Sequence, residues 1–262
     1  MTDAATLERI ARLAIPPAWK DVWICPWPNG HIQATGNDAA GRRQYRYHDV
    51  WREHRDREKF ERVLTLGRSI AALRRRVERD LKGDGMGRER VLAAMVRLLD
   101  LGSFRIGGEQ YAAEHETFGV ATLRKEHVKV RAGEIIFSFP AKGGKWQTFV
   151  VREANVLPVV AALLRRRGGG DELFAYKDGA RWKDLRSDDV NAYIKDAAGG
   201  DYSAKDLRTW TATVLAAARF AASPRPASRS ARAGRSRPSS ERSPSTWATP
   251  PPCAAPPTST LG

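Results

Sequence analysis

Three basic residues, Arg105, Lys142 and Arg208, have the chemistry needed to act together on one phosphate group. Arg105 follows an apolar helical stretch, Lys142 lies in a glycine-rich hairpin tip, and Arg208 lies just inside a predicted helix, whose backbone dipoles favour an anion. Two guanidinium groups bind the non-bridging oxygens of a pentacoordinate phosphorus, and a lysine gives a proton to the leaving oxygen. Most of the 45 basic residues must be solvated surface charges. The prediction of phosphoryl transfer therefore requires these three to meet in space.

We expect this chemistry to need no cofactor. The chain has no P-loop, so no nucleotide cofactor is implied. The five histidines lack metal-ligand spacing, and His115 and His127 are expected to be structural. Cys25 and Cys253 stand far apart in unlike contexts, which predicts neither a disulfide nor a metal site.

The net charge indicates the partner. Lys and Arg exceed Asp and Glu by 45 to 30, giving +15 at pH 7, and the isoelectric point is about 10.3. Such a protein binds polyanions, most often nucleic acid. An anionic membrane surface is the alternative, but it would require an apolar stripe opposite the basic residues. With no export signal and no apolar run of about 18–20 residues, we expect a soluble, cytoplasmic protein without membrane contact.

The elements that position these residues divide the chain into three parts. In residues 1–82, short strand-like runs at 22–24, 31–34 and 44–47 alternate with turns, and a helix follows at 55–81. The glycine-rich break after Leu81 is the predicted domain boundary. Residues 223–262 are almost entirely Ser, Pro, Arg, Ala and Thr, which predicts a disordered tail. It carries six arginines and one glutamate, so most of the positive charge belongs to the part that folds.

The sequence predicts that the middle part, residues 83–222, is mainly helical and contains one sheet. The sequence predicts helices at 88–101, about 155–166, 187–197 and 203–219, and a three-stranded antiparallel meander at 127–130, 134–139 and 146–152. The last helix begins with a capping-box-like start, Ser203 to Asp206. The expected fold class is α+β, with a small β-rich N-terminal domain before the helical one.

Several motifs, in order and spacing, resemble type IB DNA topoisomerases of the poxvirus-like and bacterial branch. The resemblance covers roughly residues 10–216, and no single motif is specific. The motifs are IPPAW at 15–19, QATG at 33–36, GRRQYRYH at 41–48, SFRIG at 103–107, TFGVATL at 117–123, the Lys142 hairpin and KDLRT at 205–209.

The resemblance implies a role for each matched residue. Arg105 and Arg208 match the arginines that stabilise the transition state, and Lys142 matches the general acid toward the leaving 5′ oxygen. Residues 1–82 match a DNA-gripping cap domain. The positions that match DNA contacts are Gln44, Tyr45 and Tyr47 in the cap and Tyr111 beyond it. Half-buried strand aromatics are the alternative reading of Tyr45 and Tyr47.

The family's activity follows from the same match. Such enzymes clamp duplex DNA, cut one strand through a 3′-phosphotyrosyl bond, allow rotation and religate without ATP or metal. The implied protein is a monomer associated with the nucleoid.

The chain departs from the family at the nucleophile. The family's tyrosine follows the helix that bears Arg208, whereas all six tyrosines here precede Arg208, the last being Tyr202. Without that hydroxyl no covalent intermediate forms. We therefore expect this chain to bind DNA without cleaving it.

The tail offers an explanation. Translated across its codon boundaries, the stretch from Thr246 to Thr258 permits Leu-Gly-Asn-Thr-Pro followed by Ser-Tyr, which resembles the family's missing catalytic segment. The hypothesis is a frameshift between about Ala216 and Ser223. Loss of the native segment would also leave the apolar side of the preceding helix, including Leu207, Trp210 and Val214, without packing partners.

Two other functions remain open from the sequence. A tyrosine recombinase uses a similar set of two arginines and a lysine, although the cap motifs argue against it. A non-catalytic clamp that only holds duplex DNA is the second alternative.

Overall fold

A small antiparallel sheet and a long helix make up the first part of the chain. The computed structural model describes residues 3–223. Helix α1 (Ala4–Arg12) leads to strands β1 (Lys20–Ile24), β2 (Ile32–Asn37) and β3 (Arg43–Tyr47), which pair in that order. The three predicted strands are confirmed.

Helix α2 (Asp49–Leu81) is longer than its apolar pattern predicted. It begins at Asp49, where the His48 side chain accepts the backbone N–H of Val50 at 3.2 Å. The first turns carry few apolar residues and bury none, so periodicity could not reveal them. The second half packs against the next helix and against the later helix Ser187–Ala198. It buries one face, formed by Val63, Leu66, Ile70, Leu73, Val77 and Leu81.

Helix α3 (Arg88–Asp100) is the centre of the core. The sequence predicted one apolar face, but every residue from Val91 to Val96 is buried, including Ala93 and Ala94. The reason is its position: α2, the later helices Leu157–Arg165 and Ser187–Ala198, and the strand Ala175–Asp178 all pack against it. Small alanines on the second face let those neighbours approach.

The predicted meander is confirmed as strands β4 (Val128–Arg131), β5 (Glu134–Pro140) and β6 (Trp146–Val151). Helix α5 (Leu157–Arg165) packs on this sheet and on α3, α6 (Ser187–Ala198) packs on α2 and α3, and α4 (Glu109–His115) lies beside the short turn Val120–Thr122. A hairpin of β7 (Ala175–Asp178) and β8 (Arg181–Asp184) was not predicted, because its strands have four residues each and are largely charged. The α+β class is confirmed.

Helix α7 (Ala204–Ala222) ends the described chain. Its predicted cap is confirmed: the Asp206 carboxylate accepts the backbone N–H and the hydroxyl of Ser203, at 3.0 and 2.8 Å. The expectation of an unpacked apolar side is wrong for Leu207, which is fully buried, and for Trp210, which packs on the core. Val214 is 43% exposed. Apart from Ser223, the predicted tail and its reading frame lie outside the described residues.

Candidate phosphate site and nucleic-acid interface

The direction of Arg105 is set by its neighbour Phe104. Phe104 is buried, with its ring centroid 5.0 Å from that of Phe137 and 4.9 Å from that of Phe149, in the aromatic core above β5 and β6. Adjacent side chains of an extended segment point to opposite sides. Anchoring Phe104 inside therefore places Arg105 on the surface, where it is exposed.

A second segment holds the backbone of Arg105 in place. The N–H of Val120 donates to the carbonyl of Arg105 at 2.8 Å, and that of Ala121 to the carbonyl of Ile106 at 2.7 Å. The two segments touch at glycines: a Cβ on Gly119 would lie 2.4 Å from the backbone nitrogen of Gly107. Neither backbone can yield to a side chain there, so this approach requires glycine.

The same segment also fixes the hairpin of Lys142. The N–H of Phe118 donates to the carbonyl of Pro140, the last residue of β5, at 2.9 Å. The tip then turns through Gly143 and Gly144, both with positive φ, and the N–H of Gly144 donates to the carbonyl of Ala141 at 2.9 Å. Lys142 is exposed at this tip. No hydrogen bond or ion pair holds its ammonium group to another residue within 3–223, so it is free to move.

Helix α7 brings Arg208 to this region through two close contacts. A Cβ on Gly102 would lie 2.7 Å from the Thr211 methyl group, and one on Gly67 would lie 2.4 Å from the Trp210 ring. The helix therefore lies directly on the end of α3 and on α2. Arg208, half-buried, precedes both contacts on the same helix.

The positive charges of Arg105 and Arg208 repel each other. The pKa of Arg208 lies below its usual value, first because burial disfavours its charged form and then because the positive charge of Arg105 repels it. Neither guanidinium has a hydrogen-bonded or ion-paired carboxylate among residues 3–223. Three of the six other half-buried arginines have one: Arg76 pairs with Asp80 at 2.7 Å, Arg88 with Asp189 at 2.6 Å and Arg97 with Glu153 at 3.0 Å. Two cations that repel each other and have no carboxylate partner among these residues are suited to an anion.

The predicted cap residues divide between two faces of β3. Tyr45 and Tyr47 lie on one face, 46% and 38% exposed, with ring centroids 6.0 Å apart. Tyr47 stacks on Trp51 of α2 at 4.6 Å, a ring that the sequence reasoning missed. Gln44 lies on the other face, where its amide donates to Asp38 at 3.0 Å.

Tyr111 lies on α4, 63% exposed. Its phenol interacts electrostatically with Arg42, whose pKa is raised mainly by its hydrogen bond to Asp38. Gln44 also binds Asp38, so it lies beside Arg42, whereas Tyr45 and Tyr47 lie on the opposite face of β3. The helix is held by Glu109, which accepts the N–H and hydroxyl of Ser187 at 2.7 and 2.9 Å. No motif in the sequence predicted these two hydrogen bonds.

Family models match most of the chain. Residues 48–240 match the catalytic core of eukaryotic DNA topoisomerase I, and residues 1–38 match the N-terminal domain of bacterial DNA topoisomerase IB. The chain belongs to the type IB DNA topoisomerases. The first match contains Arg105, Lys142, Tyr111 and Arg208, and the second contains β1 and β2. The resemblance to the poxvirus-like and bacterial branch is thereby confirmed.

Individual relatives agree with this assignment. The DNA topoisomerase 1B of Acanthamoeba polyphaga mimivirus is 34% identical over 213 residues, covering 79% of this chain and 63% of the viral protein. That of vaccinia virus is 27% identical over 162 residues, covering 59% and 51%. This chain thus spans less than two thirds of either relative. Among solved structures, the XerH site-specific recombinase bound to difH superposes with a TM-score of 0.40 at 13% identity, covering 58% of this chain and 43% of that one, which is too low to assign a fold.

One histidine of this topoisomerase-family chain, His127, has a structural role. His127 is buried, and its Nδ1 accepts the backbone N–H of Arg124 at 3.1 Å. Burial lowers its pKa, so the ring is neutral at pH 7. This is the structural role expected of it. None of the helices within 3–223 is long and apolar enough to span a bilayer.

Proposed function

We propose that this chain is a type IB topoisomerase whose phosphate site is intact but which lacks its nucleophile. The single observation that carries the proposal is that Arg105 lies close enough to Arg208 to repel its charge, while neither guanidinium group has a carboxylate partner in the described chain. Each bidentate group would bind a non-bridging oxygen of the scissile phosphate. The charge on those oxygens is greatest in the pentacoordinate transition state, so the pair accelerates the reaction rather than only binding DNA.

Lys142 would act as the general acid. Its exposed position on a glycine-flanked tip lets the ammonium group approach a leaving 5′ oxygen when DNA is bound. In the complete reaction, a tyrosine hydroxyl gives its proton to solvent as its oxygen bonds to phosphorus, the bond to the 5′ oxygen breaks, and Lys142 protonates that oxygen. Religation reverses these steps, so no ATP or metal is consumed. None of the six tyrosines can be the expected nucleophile, because all precede Arg208.

The proposed substrate is duplex DNA, held by one copy of the protein. Residues 1–82 would form the gripping cap through Tyr45 and Tyr47, and residues 83–222 would carry the phosphate site and Tyr111. The net charge of +15 supplies a sequence-independent attraction to the phosphates. We place this activity in the cytoplasm, on nucleoid DNA.

The deciding experiment is relaxation of negatively supercoiled plasmid in EDTA without ATP. The 262-residue chain is compared with a version whose tail is translated in the alternative frame, and covalent protein–DNA adducts are trapped with detergent. Relaxation and adducts from the restored protein alone support the proposal and the frameshift. Relaxation by both proteins would mean that another residue supplies the nucleophile.

The alternatives give different results in the same assay. A chain that only clamps DNA shifts duplex on a gel, while neither version relaxes plasmid. A tyrosine recombinase would form adducts only at a specific sequence, and the match of residues 1–38 to the topoisomerase N-terminal domain argues against it.

A further inference from the structure

The exposed face of the N-terminal sheet carries two aromatic side chains in register. Trp23 of β1 pairs with Thr35 of β2, and Thr35 pairs with Tyr45 of β3, so all three side chains point to the same side. Trp23 and Tyr45 are 48% and 46% exposed, whereas Thr35 between them is buried. With strands about 4.8 Å apart, the two rings stand on either side of a small residue.

These rings form the walls of a shallow cavity, here called the Trp23–Tyr45 cleft. Its other walls include His31 and Arg43, and Thr35 and Cys25 form its floor. The loop beside it is held by Gln33, whose amide donates to the carbonyl of Gly30 at 2.7 Å. A Cβ on Gly30 would lie 2.7 Å from the Cys25 sulfur, so glycine keeps this side of the cleft open.

A cation stands at the edge of the cleft. Arg43 donates to the Thr35 hydroxyl at 3.2 Å, which aims its guanidinium across the floor. Within residues 3–223 it has no ion-paired carboxylate, and its side chain is exposed. Aromatic walls beside an unpaired guanidinium suit a ligand with a flat apolar ring and a phosphate.

We propose that the Trp23–Tyr45 cleft binds an unpaired nucleic-acid base by stacking, with Arg43 on the adjoining phosphate. A base within a duplex shows protein only its edges, whereas an unpaired base exposes its π-face. The occupant is therefore a single-stranded segment, such as one melted in underwound DNA. The inference rests on the proposed DNA binding and adds Trp23, Thr35 and Arg43 to it, which the family resemblance does not assign.

The test measures equilibrium binding of the full chain by fluorescence anisotropy. Three labelled probes of about ten nucleotides are compared: an oligothymidylate, an abasic strand with the same phosphates, and a duplex. The thymidine strand should bind roughly tenfold more tightly than the abasic strand. Trp23→Ala and Tyr45→Ala should each remove most of this preference, whereas Tyr45→Phe should keep it.

Trp27→Ala is the matched control, because Trp27 is 70% exposed on the neighbouring loop and does not line the cleft. It should leave all three affinities unchanged. Arg43→Gln should reduce the salt dependence on the single strand by about 0.7 in log–log slope. Circular dichroism confirms that each variant is folded, and the probe comparison on the unaltered protein needs no variant.

Equal affinity of the unaltered protein for the thymidine and abasic strands would overturn the stacking site, as would an equal loss from Trp27→Ala. If duplex is still bound, the proposed function survives that result. If no probe is bound, both proposals fail.

Discussion

The guanidinium of Arg105 lies near enough to that of Arg208 to lower the pKa of Arg208, together with the larger effect of burial. Holding two like charges together costs free energy unless an anion joins them, which supports the phosphate site that we propose for this pair. A half-buried arginine whose pKa is lowered in this way, as that of Arg208 is, is typical of functional sites.

We expect Arg105→Ala or Arg208→Ala, in the protein with its restored frame, to slow DNA cleavage by about two to four orders of magnitude. Duplex affinity should change little, because many other cations hold the phosphates. Single-turnover cleavage and gel-shift titration measure the two quantities. Equal losses in both would identify the arginines as ordinary DNA contacts.

Lys142→Ala should slow cleavage by about two to four orders of magnitude, because the 5′ oxygen then leaves as an unprotonated alkoxide. A DNA in which sulfur replaces that oxygen needs no proton, since a thiolate is a good leaving group. Cleavage of the sulfur substrate should therefore be nearly equal in Lys142→Ala and the parent. Lys145→Ala, at the other side of the same tip, is the control. A defect that persists with sulfur would assign Lys142 to phosphate binding instead.

Gly119→Ala should destabilise the protein by about 3 kcal/mol, because the new Cβ would overlap the Gly107 backbone. It should also displace the carbonyl partner of Val120, and with it Arg105. Gly108→Ala is the control: its Cβ meets nothing within 4 Å, and its φ of −131° suits alanine. Urea denaturation measures both. Equal stabilities would show that the two segments can separate without cost.

Gly67→Ala tests the contact that holds α7. In a helix interior this change normally stabilises by about 1 kcal/mol. Here the added Cβ would lie 2.4 Å from the Trp210 ring, so we expect a net loss of roughly 1–3 kcal/mol. Trp210→Leu combined with Gly67→Ala should recover part of that loss, since leucine lacks the overlapping ring atoms. A stabilised single variant would mean that α7 shifts freely, and Arg208 with it.

Asp80 should make stability depend on pH. Burial alone raises the pKa of its carboxyl, but hydrogen bonds from Arg76, Tyr193 and Arg79 outweigh burial, so the net pKa lies below its ordinary value. The carboxylate therefore stabilises the fold fully above the unfolded pKa of about 3.9, and this contribution is lost as pH falls through the lower folded value.

Asp80→Asn removes that titration. Urea denaturation at pH 7, 5 and 3 should show a smaller loss of stability toward pH 3 in the variant than in the parent. Glu78→Gln is the control, because Glu78 is exposed on the same helix and has no hydrogen-bonded or ion-paired side chain among residues 3–223. If stability fell equally toward pH 3 in all three proteins, Asp80 would not be the source of the pH dependence.

The local elements could be predicted because their signals are local. Apolar residues at threes and fours marked the buried half of α2, and a glycine-rich tip between alternating runs marked the β5–β6 hairpin. Where the signal was weak, prediction failed: the polar first turns of α2 and the charged strands β7 and β8 do not show an apolar period. The family motifs were sufficient to predict Arg105, Lys142 and Arg208 as site residues, although motifs carry no information about which residues these side chains contact.

The sequence by itself determined the charge, the family motifs and the lack of a tyrosine after Arg208. Only the tertiary structure decided that Arg105 and Arg208 are neighbours, that Trp210 packs on Gly67, and that Gln44 and Tyr45 face opposite ways. The physical reason is that residue type and spacing report local backbone preference. Contacts between distant segments depend on shape complementarity, which exists only once the core has packed.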